Sequence, residues 1–135
     1  MVAAMQKKAG FTLIELMAVM MIIGVLAGLI VGLSQYARRK AAESAARTEI
    51  AALEDAVQRY QLQIGRYPAP TNSPRGLLVL TNGFLTWRSS RITTNGLKDP
   101  FRGVYQYCYP GRTNMAAFDI WTVSYNKQII GNFGR

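Results

Sequence analysis

The sequence predicts an α+β protein in which a long N-terminal helix packs on a small C-terminal antiparallel sheet. Residues 11–33 form an apolar stretch that carries one charge, on Glu15, and residues 34–64 contain neither proline nor glycine. Two later segments are rich in aromatic and β-branched residues and are joined by a Pro-Gly turn, which is the pattern of a hairpin. We therefore expect a helix whose first half spans a membrane and whose second half is amphipathic and packs on the sheet.

The first half of the helix is long enough to cross a bilayer. The 23 residues from Phe11 to Leu33 reach roughly 35 Å at about 1.5 Å per residue, against a hydrocarbon core of about 30 Å. A secretory signal peptide has a shorter apolar core that ends at a small-residue cleavage site, and Ser34–Arg38 is a poor site of that kind. Gly24, Gly28 and Gly32 share one helical face, which permits close approach of a second helix, although glycine is common in membrane helices in any case.

The second half of the helix carries one apolar stripe. Residues spaced three and four apart predict a face that packs on the sheet; they are Ile50, Leu53, Val57, Tyr60 and Ile64. Oppositely charged residues at i,i+4, such as Asp55 and Arg59, support the helix modestly. Gly65 is the expected C-terminal cap, and Pro68 and Pro70 forbid continuation of the helix.

The rest of the chain predicts loops and short strands. Residues 67–96 are punctuated by proline and glycine and are expected to form loops, with a short helix at 76–80. Strands are predicted at Val104–Tyr109 and Ala117–Ser124, joined by a Pro-Gly turn, and residues 128–130 are a candidate third strand.

Charge is unevenly distributed along the chain. The formal net charge is +9, and after Ala56 ten Lys and Arg residues accompany only Asp99 and Asp119. A basic surface suits anionic lipid or nucleic acid, or it serves solubility alone. Because these cations are scattered rather than clustered, we do not expect nucleic acid to be a partner. Basic residues flank the apolar stretch on both sides, at 7–8 and 38–40, so flanking charge leaves the membrane orientation open.

The composition argues against an enzyme. The chain has no histidine and a single cysteine, Cys108, which excludes histidine-based acid–base catalysis, histidine metal ligands and an intrachain disulfide. We expect Cys108 to be a buried, inert thiol and Asp99, which precedes Pro100, to shape a turn. We therefore predict no catalytic residue and no cofactor.

A short basic leader is followed by the segment GFTLIE at residues 10–15. This arrangement resembles the class III signal of prepilins and pseudopilins. The resemblance implies that a prepilin peptidase cuts between Gly10 and Phe11 and that Phe11, the new N-terminal residue, is methylated. The implied parts of the chain are a leader of residues 1–10, a transmembrane and assembly helix of residues 11–33, and a soluble head of residues 34–135.

The resemblance explains the carboxylate of Glu15 inside an apolar stretch. An unpaired carboxylate in hydrocarbon is costly. Cleavage would create an α-amine four residues before Glu15, and the amine of a neighbouring subunit can neutralise the carboxylate. In the family this glutamate acts in assembly, and the same role is implied for Glu15. The alternative is a carboxylate that reaches the membrane interface of an isolated anchor.

Six short motifs follow one another along the chain from residue 52 onward. They are ALEDA at 52–56, GRYP at 65–68, DPF at 99–101, YQY at 105–107, YPG at 109–111 and FD at 118–119. Together they resemble the major pseudopilin of type II secretion, which has a pilin-like α+β fold. The absence of a cysteine pair fits this family, since many type IV major pilins close their C-terminal region with a disulfide. A type IV pilin subunit for adhesion, motility or DNA uptake is the alternative.

The resemblance implies a structural subunit that polymerises into a short periplasmic filament and drives protein secretion. The implied partners are further copies of the chain in a helical filament, the prepilin peptidase, the inner-membrane secretion platform, the minor pseudopilins and, before assembly, membrane lipid. The implied location is the inner membrane, crossed once, with the head in the periplasm.

One segment departs from the family pattern. Major pseudopilins usually bind calcium in a C-terminal loop rich in aspartate, whereas residues 124–133 contain no carboxylate and include Lys127. Calcium needs several oxygen ligands, commonly carboxylates, and Asp119 alone cannot supply them. We therefore predict no family-type calcium site, and a loop held instead by inward packing of Ile129, Ile130 and Phe133.

Overall fold

A computed structural model describes residues 10–69 and 72–133. The chain divides into two compact units, one ending at Arg38 and the other beginning at Arg39. Helix α1, Leu13–Ile64, has 52 residues and contributes to both units. The predicted helix is confirmed, and so is its cap: Gly65 has a φ of +79° and donates its N–H to the carbonyl of Gln61 at 2.8 Å.

In the first unit, every described residue from Gly10 to Leu33 is exposed. Within the part of the chain that the structure describes, α1 is the one helix long and apolar enough to cross a membrane, by length and composition. An apolar helix without a polar face is suited to lipid rather than to water.

In the second unit, α1 buries one face. Its buried residues are Ala46, Ile50, Leu53, Ala56, Val57 and Tyr60. The prediction that Ile64 belongs to this stripe is wrong, because its side chain is 47% exposed. Ile64 lies one turn beyond Tyr60. The ring of Tyr60 packs edge-on against that of Phe84, with the ring centres 5.2 Å apart, and the buried part of the stripe ends at this contact.

The segment after α1 is more regular than the sequence predicts. A 3₁₀ helix spans Pro74–Thr81, which confirms and extends the short helix expected at 76–80. The side chain of Ser73 caps it by accepting a hydrogen bond from the N–H of Arg75 at 3.3 Å. Leu77 and Leu80 from this helix are fully buried.

Residues 89–97 contain structure that the sequence analysis assigned to a loop. A short 3₁₀ turn at Ser89–Arg91 leads into a hairpin of β1, Ile92–Thr93, and β2, Gly96–Leu97. The loop prediction is wrong here because two-residue strands are too short to show an alternating pattern. Gly96 has a φ of +140°, and a Cβ at this position would lie 2.9 Å from Cβ of Pro74, so only glycine fits.

The C-terminal sheet has three antiparallel strands in the order β3-β4-β5. They are β3, Gln106–Cys108, β4, Asp119–Val123, and β5, Ile129–Gly131. Gln106 of β3 pairs with Trp121 of β4, and Val123 of β4 pairs with Ile129 of β5. All three predicted strands are confirmed in place. The first two strands are shorter than predicted: Val104 forms only an isolated bridge with Lys98, Tyr109 lies outside β3, and β4 begins at Asp119 and ends at Val123.

One hydrophobic cluster joins these elements in the second unit. Besides the buried face of α1 it contains Leu77, Leu80, Leu97, Phe101, Tyr105, Tyr107, Phe118, Ile120 and Ile130. Successive strand residues point to opposite faces, so Ile120 and Thr122 of β4 face this core while Asp119, Trp121 and Val123 face away. The fold is therefore the α+β arrangement that the sequence predicts.

Removal of one buried leucine should destabilise the head strongly. Leu53 is fully buried in the core cluster, and Leu53→Ala is expected to lower the free energy of unfolding by about 2–5 kcal/mol because it leaves a cavity. Leu62, on the same helix, is 80% exposed, and Leu62→Ala should change it by less than about 0.5 kcal/mol. Denaturant unfolding of the full chain in detergent micelles measures both values; equal effects would contradict the assigned core.

Candidate processing and assembly site

The predicted cleavage site lies just before α1. Gly10 and Phe11 are outside regular secondary structure, and the side chain of Phe11 is 82% exposed. A Cβ built on Gly10 would meet no atom within 4 Å. Of the predicted leader, residues 1–9 lie outside the described residues.

Glu15 is bonded to Thr12 at the start of the helix. One carboxylate oxygen, Oε2, accepts hydrogen bonds from the N–H and the hydroxyl of Thr12, each at 3.3 Å, while the N–H of Glu15 donates to Thr12 Oγ1 at 3.3 Å. This is a capping box, in which two side chains satisfy N–H groups that the first helical turn leaves without partners. The position near the positive end of the helix dipole also favours a carboxylate.

Thr12 is a site residue that the sequence analysis missed. The signal was present, because threonine followed three residues later by glutamate before an apolar run is the sequence signature of a capping box. The capping box gives the carboxylate two hydrogen bonds from one residue of its own chain.

The small residues of the apolar helix leave one face open. Cβ atoms built on Gly24, Gly28 and Gly32 would meet no atom within 4 Å. The three glycines lie one helical turn apart, and a second helix could approach the backbone closely along this face.

In the head, a charged network ties α1 to the loops and strands. Arg91 forms a bidentate ion pair with Glu49, at 2.5 and 2.7 Å, and the hydroxyl of Tyr105 donates to Glu49 Oε2 at 2.7 Å. Arg91 also donates to the carbonyl of Lys98 at 2.8 Å and lies 4.6 Å from the ring centre of Trp87. Nothing in the sequence distinguishes Glu49 from the other charges on the helix, and this network was not predicted.

Burial and the hydrogen bonds of this network shift the pKa values of three side chains in the head. Burial, and then the hydrogen bond to Glu49, raise the pKa of Tyr105 well above its ordinary value. The hydrogen bond to Glu49 raises the pKa of Arg91, although burial opposes it. Burial also raises the pKa of Tyr107, whose hydroxyl is buried without a hydrogen-bond partner among the described residues.

The two aspartates of the C-terminal half bind backbone N–H groups. Asp99 Oδ1 accepts from the N–H groups of Phe101 and Gly103, at 2.9 and 2.7 Å, which confirms the prediction that it shapes a turn. Asp119 accepts from Thr113 at 2.7 Å and Asn114 at 3.2 Å and so holds the connection between β3 and β4. In the part of the chain that the structure describes, no three His, Cys, Asp or Glu residues form a group that could hold a metal ion.

The predicted packing of the C-terminal loop is correct in part. Ile130 is buried, but Ile129 is 58% exposed, so its predicted inward packing is wrong. The two residues are neighbours on β5 and must point to opposite faces. Phe133 is half-buried. Its ring lies against Gly131: a Cβ on Gly131 would be 2.7 Å from Cε1 of Phe133. Cys108 is buried, as predicted, with its Sγ 2.8 Å from Asn72 Oδ1.

Comparison with known protein families identifies the chain. Residues 35–132 match the family model described as type II secretion system (T2SS), protein G, and residues 5–31 match the prokaryotic N-terminal methylation motif. The chain belongs to the type II secretion protein G family. The methylation-motif match contains Gly10, Phe11 and Glu15, whose roles in processing and assembly stay predictions.

Protein G relatives match this chain over most of its length. Type II secretion system core protein G of Vibrio cholerae is 33% identical over 92% of this chain and 85% of its own length. The Aeromonas hydrophila protein of the same name is 35% identical over 79% of this chain and 77% of its own length. The crystal structure of the major pseudopilin from the type 2 secretion system of enterohaemorrhagic Escherichia coli has 24% identity and a TM-score of 0.46, covering 76% of this chain and 91% of that chain.

The stability of this protein G head should fall as the pH rises above about 10. The folded chain keeps the protons of Tyr105 and Tyr107 at a pH where the unfolded chain releases them, so rising pH favours unfolding. The stabilisation that comes from these two raised pKa values is fully present below about pH 10. Above that pH, each of the two tyrosines lowers the free energy of unfolding by up to about 1.4 kcal/mol per pH unit.

Denaturant unfolding of the full chain between about pH 8 and 11 measures this slope. Tyr105→Phe should give a shallower slope than the wild type. Tyr125→Phe, which removes a half-exposed tyrosine, serves as the matched control for the loss of a phenol. Identical slopes for the wild type and Tyr105→Phe would contradict the raised pKa of Tyr105.

Proposed function

We propose that this protein is a structural subunit of a type II secretion pseudopilus, processed by prepilin peptidase and polymerised through its N-terminal helix to drive protein secretion. The observation that carries the proposal is the match of the head, residues 35–132, to the protein G family, joined to a methylation motif over residues 5–31. Membership of the protein G family favours this function over the alternative of a type IV pilin for adhesion, motility or DNA uptake.

Processing prepares the N-terminus for assembly. Hydrolysis of the Gly10–Phe11 peptide bond leaves a carboxylate on Gly10 and an α-amine on Phe11, which then carries the methyl group. Both residues are exposed and precede α1, so the peptidase does not need to unwind the helix to reach the bond. The capping box lies entirely on the mature side of the cut.

Assembly then supplies a positive charge to pair with the carboxylate of Glu15. Thr12 provides hydrogen bonds to the carboxylate, but Thr12 is neutral and leaves a net negative charge at the start of an apolar helix. Such a charge is unfavourable in lipid. The α-amine of Phe11 on a neighbouring subunit would neutralise it, so contact between subunits is more favourable than isolation. The open glycine face of α1 would let helices pack closely in the same filament.

The remaining partners follow from this role. They are the prepilin peptidase, the inner-membrane secretion platform, the minor pseudopilins, membrane lipid before assembly and further copies of the chain. We propose that the chain crosses the inner membrane once with its head in the periplasm. The role is structural, with no catalytic residue.

The mature chain should begin at methylated Phe11. Intact mass and N-terminal sequencing of protein recovered from membranes measure this directly. Gly10→Leu should retain the leader, because the peptidase cuts after the glycine, and the open space around Gly10 means that α1 itself is undisturbed. Gly28→Ala, at an equally open position, should be processed normally. A wild-type chain that still starts at Met1, in a host with active prepilin peptidase, would refute the processing step.

Loss of the charge on Glu15 should block assembly without blocking processing. Glu15→Gln keeps the size of the side chain and an oxygen that can accept from Thr12, so it removes mainly the charge. We expect filament yield to fall on the order of a hundredfold, since an unmatched charge in such a pair is worth about 3 kcal/mol or more. Glu43→Gln, which affects a carboxylate 3.5 Å from Lys40 in the head, is the control and should assemble. Filaments can be counted by sedimentation and electron microscopy; wild-type yield from Glu15→Gln would exclude the assembly role.

A further inference from the structure

The carboxylates of the C-terminal half are poorly placed to share a cation. Asp99 and Asp119 are the only two after Ala56. Asp99 Oδ2 accepts a hydrogen bond from the hydroxyl of Thr122, on the core face of β4. Asp119 lies three residues earlier on the same strand, and residues an odd number apart on a strand point to opposite faces. The two carboxylates therefore lie on opposite sides of the sheet.

Each carboxylate is also already committed to the protein. Asp99 accepts three hydrogen bonds and Asp119 accepts two, in every case from a backbone N–H or a hydroxyl of the head. Calcium would compete with these donors for the carboxylate oxygens, and the N–H of Phe101 and the hydroxyl of Thr122 are buried. The donor set does not fit the calcium site that the family implies.

The loop between β4 and β5 is closed by hydrogen bonds. The N–H of Ser124 donates to the carbonyl of Gln128 at 2.9 Å, and the N–H of Lys127 donates to the carbonyl of Ser124 at 2.9 Å. The hydroxyl of Ser124 accepts from the N–H of Gln128 at 3.3 Å. This turn is short and carries the positive charge of Lys127, so it favours neither calcium nor another cation.

Asn132 fastens the chain immediately after β5. Its carboxamide oxygen accepts from the N–H of Ile120 at 2.9 Å, and its amide nitrogen donates to the carbonyl of Phe118 at 3.0 Å. Its own N–H donates to the carbonyl of Ile120 at 3.0 Å. The side chain thus continues the hydrogen bonding of the β4–β5 ladder along β4. Phe118 and Ile120 are buried, so their backbone groups need these partners.

We propose that the carboxamide of Asn132 and the turn at Ser124 close the C-terminal segment of this head, and that the protein needs no calcium or other divalent cation for its stability. Asn132 is the residue that fastens this segment to β4. The inference concerns the head alone and does not depend on the proposed function in a filament.

The test is thermal unfolding of the full chain in detergent micelles, with calcium chloride or with EDTA. The wild-type midpoint should be the same in both, within about 1 °C. Asn132→Ala should lower it by about 4–8 °C, the shift expected when a domain of this size loses a buried hydrogen-bond partner, and calcium should not restore it. Asn126→Ala, which changes an exposed asparagine in the loop between β4 and β5, is the matched control and should melt with the wild type.

Two results would overturn the proposal. One is a wild-type midpoint that rises in a saturable way with calcium; this measurement needs no variant and stands even if Asn132→Ala does not fold. The other is an Asn132→Ala midpoint equal to that of the wild type. Asn132→Asp keeps the acceptor for Ile120 and replaces the donor to Phe118 with a charged oxygen; its midpoint should lie below that of the wild type with or without calcium.

Discussion

The head depends on the burial of one face of α1. Its five strands have between two and five residues each, and strands of this length are not stable in isolation. Ile50, Leu53 and Val57 supply the apolar surface on which they are ordered. The ion pair of Glu49 with Arg91 crosses from the same helix to the loop before β1. Without this helical face neither the hairpin nor the three-stranded sheet would have a core to cover.

The placement of acidic residues explains the basic surface. Of the seven acidic side chains, six have partners: Glu15 binds Thr12, Glu43, Glu49 and Asp55 pair with Lys or Arg, and Asp99 and Asp119 bind backbone N–H groups. The acids are thus used for capping, cross-linking and shaping loops. Among the Lys and Arg residues that the structure describes, Lys40, Arg59 and Arg91 form ion pairs and most of the others have no acidic partner. Every described Lys and Arg residue except Arg91 is exposed, so the excess of positive charge lies on the surface.

Long patterns were predictable from the sequence, and short or distant contacts were not. The 52-residue helix, its glycine cap and the three strands follow from composition and spacing over many residues. The β1–β2 hairpin escaped because its strands have two residues each. The exposure of Ile64 and Ile129 escaped because it depends on where neighbouring elements end and on which face a strand residue takes.

The site residues divide in the same way. Gly10, Phe11 and Glu15 belong to a local motif and could be named from the sequence, and Thr12 could have been, since its signal is equally local. Glu49 and Asn132 gain their roles from partners 42 residues away in one case and 12 and 14 residues away in the other. No pattern along the chain records such pairings, because the fold alone brings those groups together.

The capping box has a consequence for maturation. Thr12 and Glu15 both lie downstream of the Gly10–Phe11 bond, and Leu16 already donates its N–H to the carbonyl of Thr12 at 3.2 Å. Among the described residues, the hydrogen bonds of the first helical turn join Thr12, Glu15 and Leu16. Cleavage would remove Lys7 and Lys8 and exchange one α-amine for another, while the hydrogen bonds at the helix start stay in place. If the chain is cut at this bond, we expect the charge at its N-terminus to change while the described start of α1 keeps its conformation.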